Sequence, residues 1–599
     1  MNEPTWDIFQ ELWELAKDTN RPLRHRYKKL REVFERIVRE QMQNVALQAT
    51  DLAARINYMA NKFALDNRCT NALHTFRLTS NDVMNHRKEP AEEEFLRDIR
   101  AVAEACQSIL ELPMPKDLDT SLPKKWWKAT MKRKKMKHIR RVRVCLDYAD
   151  GDFMYVYPVD EVAEECWKVR YNQKGVNDEF TEGIGGFWRH AQLNLLDVTQ
   201  NEDGTYTPSF IVLEPDYLLD ISSLSECYRD YGSHPANYLM GRLVPIENAR
   251  SLLLGNIANL FLDEWINAHN EEPDYLACMK KAFKQYPLEL AACEELLDPE
   301  KEAAFFKDCR MHFEHIRQTV KETFQASGYN LDRSDAVLEP SYICEALGIQ
   351  GRLDYMQRDM SSFIEMKSGK ADEYAIKGKI EPKENNRVQL LLYMAVLEYS
   401  MGVDRRKLHP YLFYTRYPLL YPARASWAQV RRIIALRNRI VASEYGTQMH
   451  NHPSFTAELL MQINPITLNE KKMQGRFWEQ YMAPGILRFQ KRLQSLDDME
   501  RTYVYTLYNF ITKELYISKS GDVDSEIRTG ASALWLSSLE EKKEAGEIFY
   551  DLRIIDNKAS QPHKATITLQ IPAYDESFLP NFRNGDVVVL YERDRKSVV

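Results

Sequence analysis

Two carboxylates and a lysine stand close together in one short stretch of the sequence. Asp354 lies near the end of segment 348–355, and Glu365 and Lys367 lie in segment 363–369. Both segments have the residue pattern of strands, and because side chains alternate along a strand, Glu365 and Lys367 point to the same face. A hairpin between the two strands would bring Asp354 against Glu365.

This pair of carboxylates suggests a site for a divalent cation. Two carboxylates that converge without an arginine are costly unless a cation lies between them. Oxygen ligands suit hard ions such as Mg²⁺ or Mn²⁺. Lys367, on the same face, would then meet a bound water or a phosphate oxygen. That is the chemistry of metal-assisted phosphodiester hydrolysis.

A helix is predicted after the strand pair. Segment 385–393 has a helical apolar face, and Gln389 and Tyr393 are four residues apart on one side of it. That side could turn towards the strands and hold nucleic acid or the metal-bound groups. Alone, Glu-x-Lys on a strand is usually an exposed ion pair, and Gln-x-x-x-Tyr on a helix means little. Their joint order at these spacings favours catalysis.

The order Gly-Arg-x-Asp, Glu-x-Lys and Gln-x-x-x-Tyr resembles the core motif of the PD-(D/E)XK nucleases. It is most similar to the RecB-like branch, which includes the nuclease domains of helicase–nucleases and CRISPR-associated RecB-like exonucleases. The resemblance covers roughly residues 216–400 and implies a restriction-endonuclease-like core. It implies that Asp354 and Glu365 are metal ligands, that Lys367 is the catalytic lysine, and that Gln389 and Tyr393 belong to the site.

RecB-like nucleases also carry Gly-x-x-x-His on an upstream helix, and that histidine helps to hold the metal. Here Gly255 is followed by Asn259 in the histidine position. An amide oxygen can bind Mg²⁺, so Asn259 is a candidate third ligand. The alternative is a plain helix residue and a weakened site.

Many relatives bind an iron–sulfur cluster through one cysteine before that helix and three after the last motif. Cys227 stands where the first would be, but Cys344 is the last cysteine in the chain. Four thiolates are needed for such a cluster. No iron–sulfur cluster is therefore expected, and Cys227 is interpreted as a small buried residue.

The wider organisation resembles the nuclease part of a replication and repair nuclease–helicase, in which a nuclease domain and a small β-barrel precede a superfamily 1 motor. Segment 582–591 is similar to the barrel segment there. The sequence has no Gly-x-x-x-x-Gly-Lys-Ser/Thr loop, so it has no ATPase site of its own. The hypothesis is that the chain is a fragment of a longer protein that also contains a superfamily 1 helicase domain.

A basic segment with two tryptophans is the clearest candidate for contact with DNA. Residues 124–143 hold eleven lysines and arginines and no acid. Cations meet phosphates, and indoles can stack on unpaired bases. The alternative is a solvated linker whose tryptophans are buried in the next domain. The candidate DNA-binding residues are Trp126, Trp127, Lys132, Arg133, Lys134, Lys135 and Arg352.

Composition narrows the class of protein. The 599 residues are 44% hydrophobic and 28% charged, which excludes global disorder. A net charge of −7 does not by itself mark a nucleic-acid binder. Nine scattered cysteines without a Cys-x-x-Cys pair argue against a disulfide framework and a cysteine-rich zinc site. No membrane span and no secretory signal are found, so a cytoplasmic protein is expected.

The elements that position the candidate site form a multidomain α/β chain. Strand patterns occupy residues 140–213 and return from Tyr503, where Tyr503, Tyr505 and Leu507 alternate. The predicted units are a helical N-terminal region (1–115), a β-rich domain with the basic segment (116–213), a RecB-like PD-(D/E)XK nuclease domain (214–450), a helical connector (451–500) and a β-barrel-like domain (501–599).

The sequence therefore predicts a Mg²⁺- or Mn²⁺-dependent deoxyribonuclease that acts on single-stranded or flapped DNA, in repair, replication or defence. One alternative is a nuclease-fold module with weakened chemistry that binds DNA or a protein partner, and Asn259 favours it. Another is a scaffold that binds proteins through its helical N-terminal region. Exonuclease or endonuclease action, polarity, and DNA or RNA preference stay open.

Overall fold

The computed structural model shows a mixed α/β chain with several small sheets, which confirms that part of the predicted fold class. In the part of the chain that it describes, no helix is both long and apolar enough to cross a membrane. The described residues are 8–43, 45, 51–124, 138–163, 165–243, 249–268, 271–326, 328–329, 331–374, 379–424, 426–522, 529–559, 566–574, 578–583 and 588–590.

The N-terminal region is helical because apolar residues recur at helical spacing and bury one face of each helix. Tyr27, Phe34 and Phe95 lie fully buried in its core. Leu118 and Leu122 belong to the same core, so the helical unit extends beyond the predicted boundary at 115. The helices are α1 (Ile8–Lys17), α2 (Leu23–Met42), α3 (Leu52–Lys62), α4 (Asn67–Met84), α5 (Glu92–Leu110) and α6 (Lys116–Ser121).

Residues 138–213 form a closed barrel of five strands with a sixth strand on its edge. The first strand pairs with both the second and the fourth, and the third pairs with the fifth, so the ring closes. Alternating apolar side chains fill its interior. The elements are β1 (His138–Ala149), β2 (Phe153–Pro158), β3 (Trp167–Arg170), α7 (Thr181–Ile184), β4 (Gln192–Gln200), β5 (Tyr206–Thr207) and β6 (Phe210–Leu213).

The next unit begins with a short strand and mostly helical segments that flank the candidate site. The apolar faces of helices 250–267, 275–285 and 299–318, together with one face of the sheet that follows, form a separate core. The elements are β7 (Leu219–Asp220), α8 (Ile221–Ser225), α9 (Ala236–Leu243), α10 (Arg250–Asn267), α11 (Tyr275–Gln285), α12 (Pro287–Ala291) and α13 (Pro299–Gln318).

A five-stranded sheet carries the candidate site, and its strands follow the order 419–422, 409–414, 362–367, 355–357 and 336–338. Ile364 and Met366 face α10 and α13, whereas Phe363 on the other face joins the core around helix 384–399. The elements are β8 (Ala336–Leu338), β9 (Ser341–Cys344), β10 (Ile349–Arg352), β11 (Tyr355–Gln357), β12 (Ser362–Lys367), β13 (Asp372–Tyr374), β14 (Lys379–Glu381), α14 (Glu384–Tyr399), β15 (His409–Tyr414), β16 (Leu419–Pro422) and α15 (Trp427–His450).

One buried arginine joins the barrel to this unit. Arg437 of α15 is fully buried and donates to the carbonyl oxygens of Leu213, Glu214 and Tyr217 at the end of the barrel. It also donates to the Gly348 carbonyl, 3.2 Å away, just before β10. Gly348 has φ +64°, and a Cβ there would overlap the guanidinium. Arg437 therefore links the end of the barrel to the start of β10.

The prediction of a strand at Tyr503–Leu507 is wrong, because these residues lie in α19 (Asp498–Ser520). Asp497 and Glu500 form a capping box at its start, and its buried residues, including Tyr505 and Tyr508, follow helical spacing. The other C-terminal elements are α16 (Pro453–Met461), α17 (Pro465–Leu468), α18 (Ala483–Gln494), α20 (Ala533–Leu536), α21 (Leu539–Glu544), β17 (Arg553–Asn557) and β18 (Ile567–Gln570).

The predicted second barrel is also not seen in the described residues after 501. The strands found there are β17 and β18, which pair as a two-stranded antiparallel sheet. Too few strands are present to close a barrel. Residues 588–590 are described and are not in a strand, and residues 584–587 lie outside the described chain.

Candidate functional site

The predicted hairpin brings the two carboxylates together. Strands β11 and β12 are antiparallel, with Tyr355 opposite Ile364, so Asp354 and Glu365 come next to each other in the register. The backbone N–H of Met366 donates to Asp354 Oδ2 at 2.6 Å. The Asp354 side chain is therefore fixed against the strand that carries Glu365.

Lys367 and Gln389 complete a hydrogen-bonded triangle with Glu365. Lys367 Nζ lies 2.8 Å from Glu365 Oε1 and 2.8 Å from Gln389 Oε1. Gln389 Nε2 donates to the same Glu365 Oε1 at 2.7 Å. The helix α14 thus supplies an amide that is hydrogen-bonded to both side chains.

The Glu365 carboxyl group is buried, and one of its two oxygens has no hydrogen-bond partner in the described residues. It is 4% exposed, and Oε2 has no hydrogen-bond partner in the described residues. Burial and the nearby Asp354 raise its pKa to about 8, although Lys367 opposes this. Burial likewise raises the pKa of Asp354. For Lys367, burial favours a lower pKa, but Glu365 outweighs it and the pKa is raised.

These residues fit a hard divalent cation. The unpartnered Glu365 Oε2 and the Asp354 carboxylate offer oxygen ligands, and Asn259 of α10 lines the same cavity. At Gly255, one turn before Asn259, a Cβ would be 3.3 Å from Ser368 Oγ, so the helix passes close to the end of β12. No group of three His, Cys, Asp or Glu side chains suited to a metal is found among the described residues.

Tyr393 lies behind the carboxylates. Its hydroxyl donates to the Arg352 carbonyl oxygen at 2.5 Å, and its ring is 1% exposed. A Cβ at Gly351 would be 3.0 Å from the Tyr393 hydroxyl, so the glycine permits this close approach. Tyr393 thereby fixes the backbone that leads into Asp354 and acts as a positioning residue.

Asp263 is a neighbour of the site that the sequence interpretation missed. It follows Asn259 by one turn of α10, and its pKa is raised to about 7 by burial and by the charges of Glu339 and Asp354. Its spacing of four residues from Asn259 was the available signal. Glu339 also pairs with Arg352 at 3.2 Å.

A large cavity of about 1960 Å³ opens over the site. Its floor is formed by the site residues, including Asp354, Glu365, Lys367 and Gln389. The cavity is also lined by a C-terminal segment, the described residues between 534 and 590, here called the C-terminal cover. The cover contributes the aromatic side chains Trp535, Phe549, Tyr550 and Phe582. The exposed cations Arg87, Arg352 and Arg583 also line the cavity.

The sequence did not predict the cover. The available signal was a local density of aromatic residues, which pack on one another in the structure: Phe549, Tyr550, Tyr574, Phe578 and Phe582.

The other residues singled out from the sequence are Arg352, Cys227 and those of the basic segment. Arg352 has 60% of its side chain exposed and faces the cavity. Cys227 is buried, and burial raises the pKa of its thiol to about 12. The other DNA-binding candidates lie outside the described residues: Trp126, Trp127, Lys132, Arg133, Lys134 and Lys135.

Comparisons with known proteins add no assignment. No protein-family model matches the sequence, and no curated protein matches it.

Proposed function

We propose that this protein is a divalent-metal-dependent nuclease that hydrolyses phosphodiester bonds in single-stranded or flapped DNA. The observation that carries the proposal is the convergence of Asp354 with a buried, half-unpartnered Glu365 that also accepts a hydrogen bond from Lys367. This is the arrangement that the resemblance to RecB-like nucleases implies. A buried carboxylate oxygen without a partner calls for a cation or a proton.

Each residue has a distinct task in this proposal. Asp354 and Glu365 hold Mg²⁺ or Mn²⁺, with Asn259 as the third oxygen ligand. The bound cation supplies Lewis-acid stabilisation of charge on the phosphate oxygens. Lys367 places a positive charge beside the phosphate, and Gln389 keeps its ammonium group in position through the 2.8 Å contact.

The lining of the cavity supports a single-stranded substrate. Arg87, Arg352 and Arg583 provide positive charge for the phosphate backbone. Trp535 and Phe549, on the cover, offer aromatic rings on which unpaired bases can stack. A base-paired duplex conceals the faces of its bases, so these rings favour unpaired strands.

The test is cleavage of end-labelled single-stranded, flapped and duplex DNA with Mg²⁺ or Mn²⁺. Wild type is compared with Lys367→Met and with Lys370→Met, which removes an exposed lysine three residues away. We expect cleavage of the single-stranded and flapped substrates, loss of cleavage for Lys367→Met, and wild-type rates for Lys370→Met. Equal cleavage by all three proteins would identify a contaminating nuclease and overturn the proposal.

A second candidate is a DNA-binding module with lost chemistry. It is favoured by Asn259, because the described residues offer two carboxylates and no third acid or histidine suited to the metal. Tight binding of single-stranded DNA without cleavage in either metal would select this candidate. Failure to bind nucleic acid would favour a protein scaffold. A superfamily 1 helicase domain in a longer chain stays a proposed partner.

A further inference from the structure

A second cavity, of about 460 Å³, lies where the N-terminal helices, the barrel and helices α15 and α19 meet. Its volume is in the range of about 300–1,000 Å³ that small-molecule sites occupy. Its walls are largely aromatic: Tyr58, Trp188, Tyr445 and Tyr516 all line it. Trp188 and Tyr445 stack with 4.9 Å between ring centroids and 20° between planes. The cavity therefore offers flat apolar surfaces.

A buried polar side chain without hydrogen-bond partners among the described residues lines this cavity. Gln192, the first residue of β4, lines the cavity and is only 3% exposed. Neither its Oε1 nor its Nε2 has a hydrogen-bond partner in the described residues. Buried amides are almost always hydrogen-bonded, because burying one without a partner is unfavourable. A ligand with a donor next to an acceptor would satisfy both atoms.

A second buried polar group lies beside Gln192. Glu214 is 8% exposed and lines the same cavity. Its Oε1 accepts from the Gln192 backbone N–H at 2.9 Å, and Tyr445 donates to Oε2 over 3.4 Å. Burial raises its pKa to about 8, so the group carries a proton at neutral pH. The cavity thus presents neutral hydrogen-bonding groups at its inner end.

Positive charge lies at the opening. Lys62 is exposed, and its Nζ donates to the Gln41 carbonyl oxygen at 2.8 Å. Arg189, 55% exposed, also lines the cavity and pairs with Asp147 at 2.7 Å. His190 is neutral, because burial lowers its pKa to about 4. Lys62 is therefore the cation best placed to meet an anionic group that extends from the cavity.

We propose that this cavity is a nucleotide site, in which a nucleobase lies against the aromatic walls and pairs with the Gln192 amide. Each of the common bases has an edge with a hydrogen-bond donor beside an acceptor, and a glutamine side chain matches such an edge in a bidentate manner. The phosphate lies at Lys62. The base belongs either to a free nucleotide or to a nucleic-acid strand, and the site requires no nuclease activity.

The test uses the full chain carrying Asp354→Asn, so that nucleic acids are not degraded. Thermal unfolding and intrinsic fluorescence are followed with AMP, GMP, CMP and UMP, and with dA and dT tetranucleotides. The same measurements are made on Gln192→Met, and on Gln200→Met as a control on the same strand. We expect at least one ligand to raise Tm, with an affinity that falls at least tenfold in Gln192→Met and is unchanged in Gln200→Met.

Gln192→Met should also have a measurable effect on Tm in the absence of ligand. Without ligand, Gln192→Met should keep or raise Tm, because it removes an unsatisfied buried amide. A mononucleotide that depends on Gln192 identifies a free nucleotide, and a dependence seen only with tetranucleotides identifies a base of a strand. If no ligand raises Tm, or if every shift survives in Gln192→Met, the proposal is wrong.

Lys62→Met, at the opening of the second cavity, tests the proposal independently if Gln192→Met fails to fold. Lys62→Met changes an exposed side chain, so the unliganded Tm should not move. It should weaken binding of the nucleotide several-fold and leave binding of the corresponding nucleoside unchanged. Equal weakening of nucleotide and nucleoside would contradict the placement of the phosphate.

Discussion

The floor and the cover of the large cavity differ in how firmly their side chains are packed. On the floor, Glu365 and Gln389 are 4% and 5% exposed and bonded to each other. On the cover, Ile555 is 64% exposed and Leu579 is 81% exposed. The floor belongs to a five-stranded sheet, whereas the cover has a two-stranded one, which is marginally stable alone.

The contacts that hold the cover are also of a weaker kind. Glu540 pairs with His86, in the turn after α4, and Glu544 pairs with Lys28 of α2. Arg358, in the turn after β11, donates to the Ala559 carbonyl oxygen at 3.0 Å. An exposed ion pair such as Lys28–Glu544 contributes about 0–1 kcal/mol. Under the proposed function, this difference predicts that the floor sets the rate of chemistry and that the cover sets how tightly a strand is bound.

The strongest test of this division removes a ligand from the floor. Asp354→Asn should lower kcat for single-stranded DNA by about 10²–10³-fold, the scale of losing one key charge-stabilising group. Isothermal titration should show that Mn²⁺ affinity falls as well, while DNA affinity changes little. The amide oxygen can still accept from the Met366 N–H, so the fold should be kept. Retention of near-wild-type kcat would show that the floor does not set the rate of cleavage.

The next prediction concerns the charge on the floor. In EDTA, Glu365 keeps its proton up to a pH of about 8 in the folded state but ionises near its ordinary pKa when unfolded. Between these values the folded state binds more protons, so stability falls as pH rises. Glu365→Gln removes this loss. We expect the stability advantage of Glu365→Gln over wild type to grow as the pH rises from 5 to 8, by about 1 kcal/mol per pH unit.

Urea unfolding at several pH values measures this advantage, and Glu322→Gln, at an exposed position, is the control. The control should show no such trend. A Glu365→Gln advantage that is the same at pH 5 and pH 8 would contradict the raised pKa of Glu365.

A smaller effect is expected behind the floor. Tyr393→Phe removes the hydrogen bond to the Arg352 carbonyl oxygen and should cost about 1 kcal/mol of stability. Because Tyr393 only positions the backbone before Asp354, kcat should fall severalfold with KM unchanged. Steady-state kinetics and thermal unfolding separate the two effects. A change in KM alone would instead place Tyr393 in contact with the substrate.

The smallest effect on kcat should come from the cover. Phe549→Ala removes one ring from the cavity, and stacking of a base is worth about 1–3 kcal/mol. Fluorescence anisotropy should show weaker binding of single-stranded DNA, while kcat at saturating DNA stays near the wild-type value. Leu579→Ala, which shortens an exposed side chain of the cover, serves as the control. A large fall in kcat for Phe549→Ala would give the cover a part in the chemistry.

The floor was predictable because its signals are local. Alternation along one strand places Glu365 beside Lys367, and a short turn is enough to bring Asp354 to them. The helix that carries Gln389, α14, follows β12 closely in the sequence. Closure of the barrel was not predictable, because it depends on pairing of β1 with β4, whose partners Val142 and Leu195 are far apart in sequence.

The prediction for the C-terminal region was wrong because the spacing of its tyrosines fits both the two-residue period of a strand and the 3.6-residue period of a helix. Tyr503 and Tyr505 alternate as in a strand, but Tyr505, Tyr508 and Tyr516 also fall on one face of a helix. The capping box at Asp497 and Glu500 was the local signal that favours the helix. Contacts between the cover and the N-terminal helices join residues more than 450 positions apart, as in the bond from Leu539 to Asn85, and no local pattern encodes them.

The buried guanidinium of Arg437 limits how this chain could have been assembled or rearranged. Its charge lies among backbone carbonyls from both sides of the junction, so exchange of the barrel by recombination would leave an arginine without its acceptors. A foreign barrel could replace it only if its last strand and the loop after it offered carbonyls in the same places. Inheritance of residues 138–450 as one piece is the expected consequence.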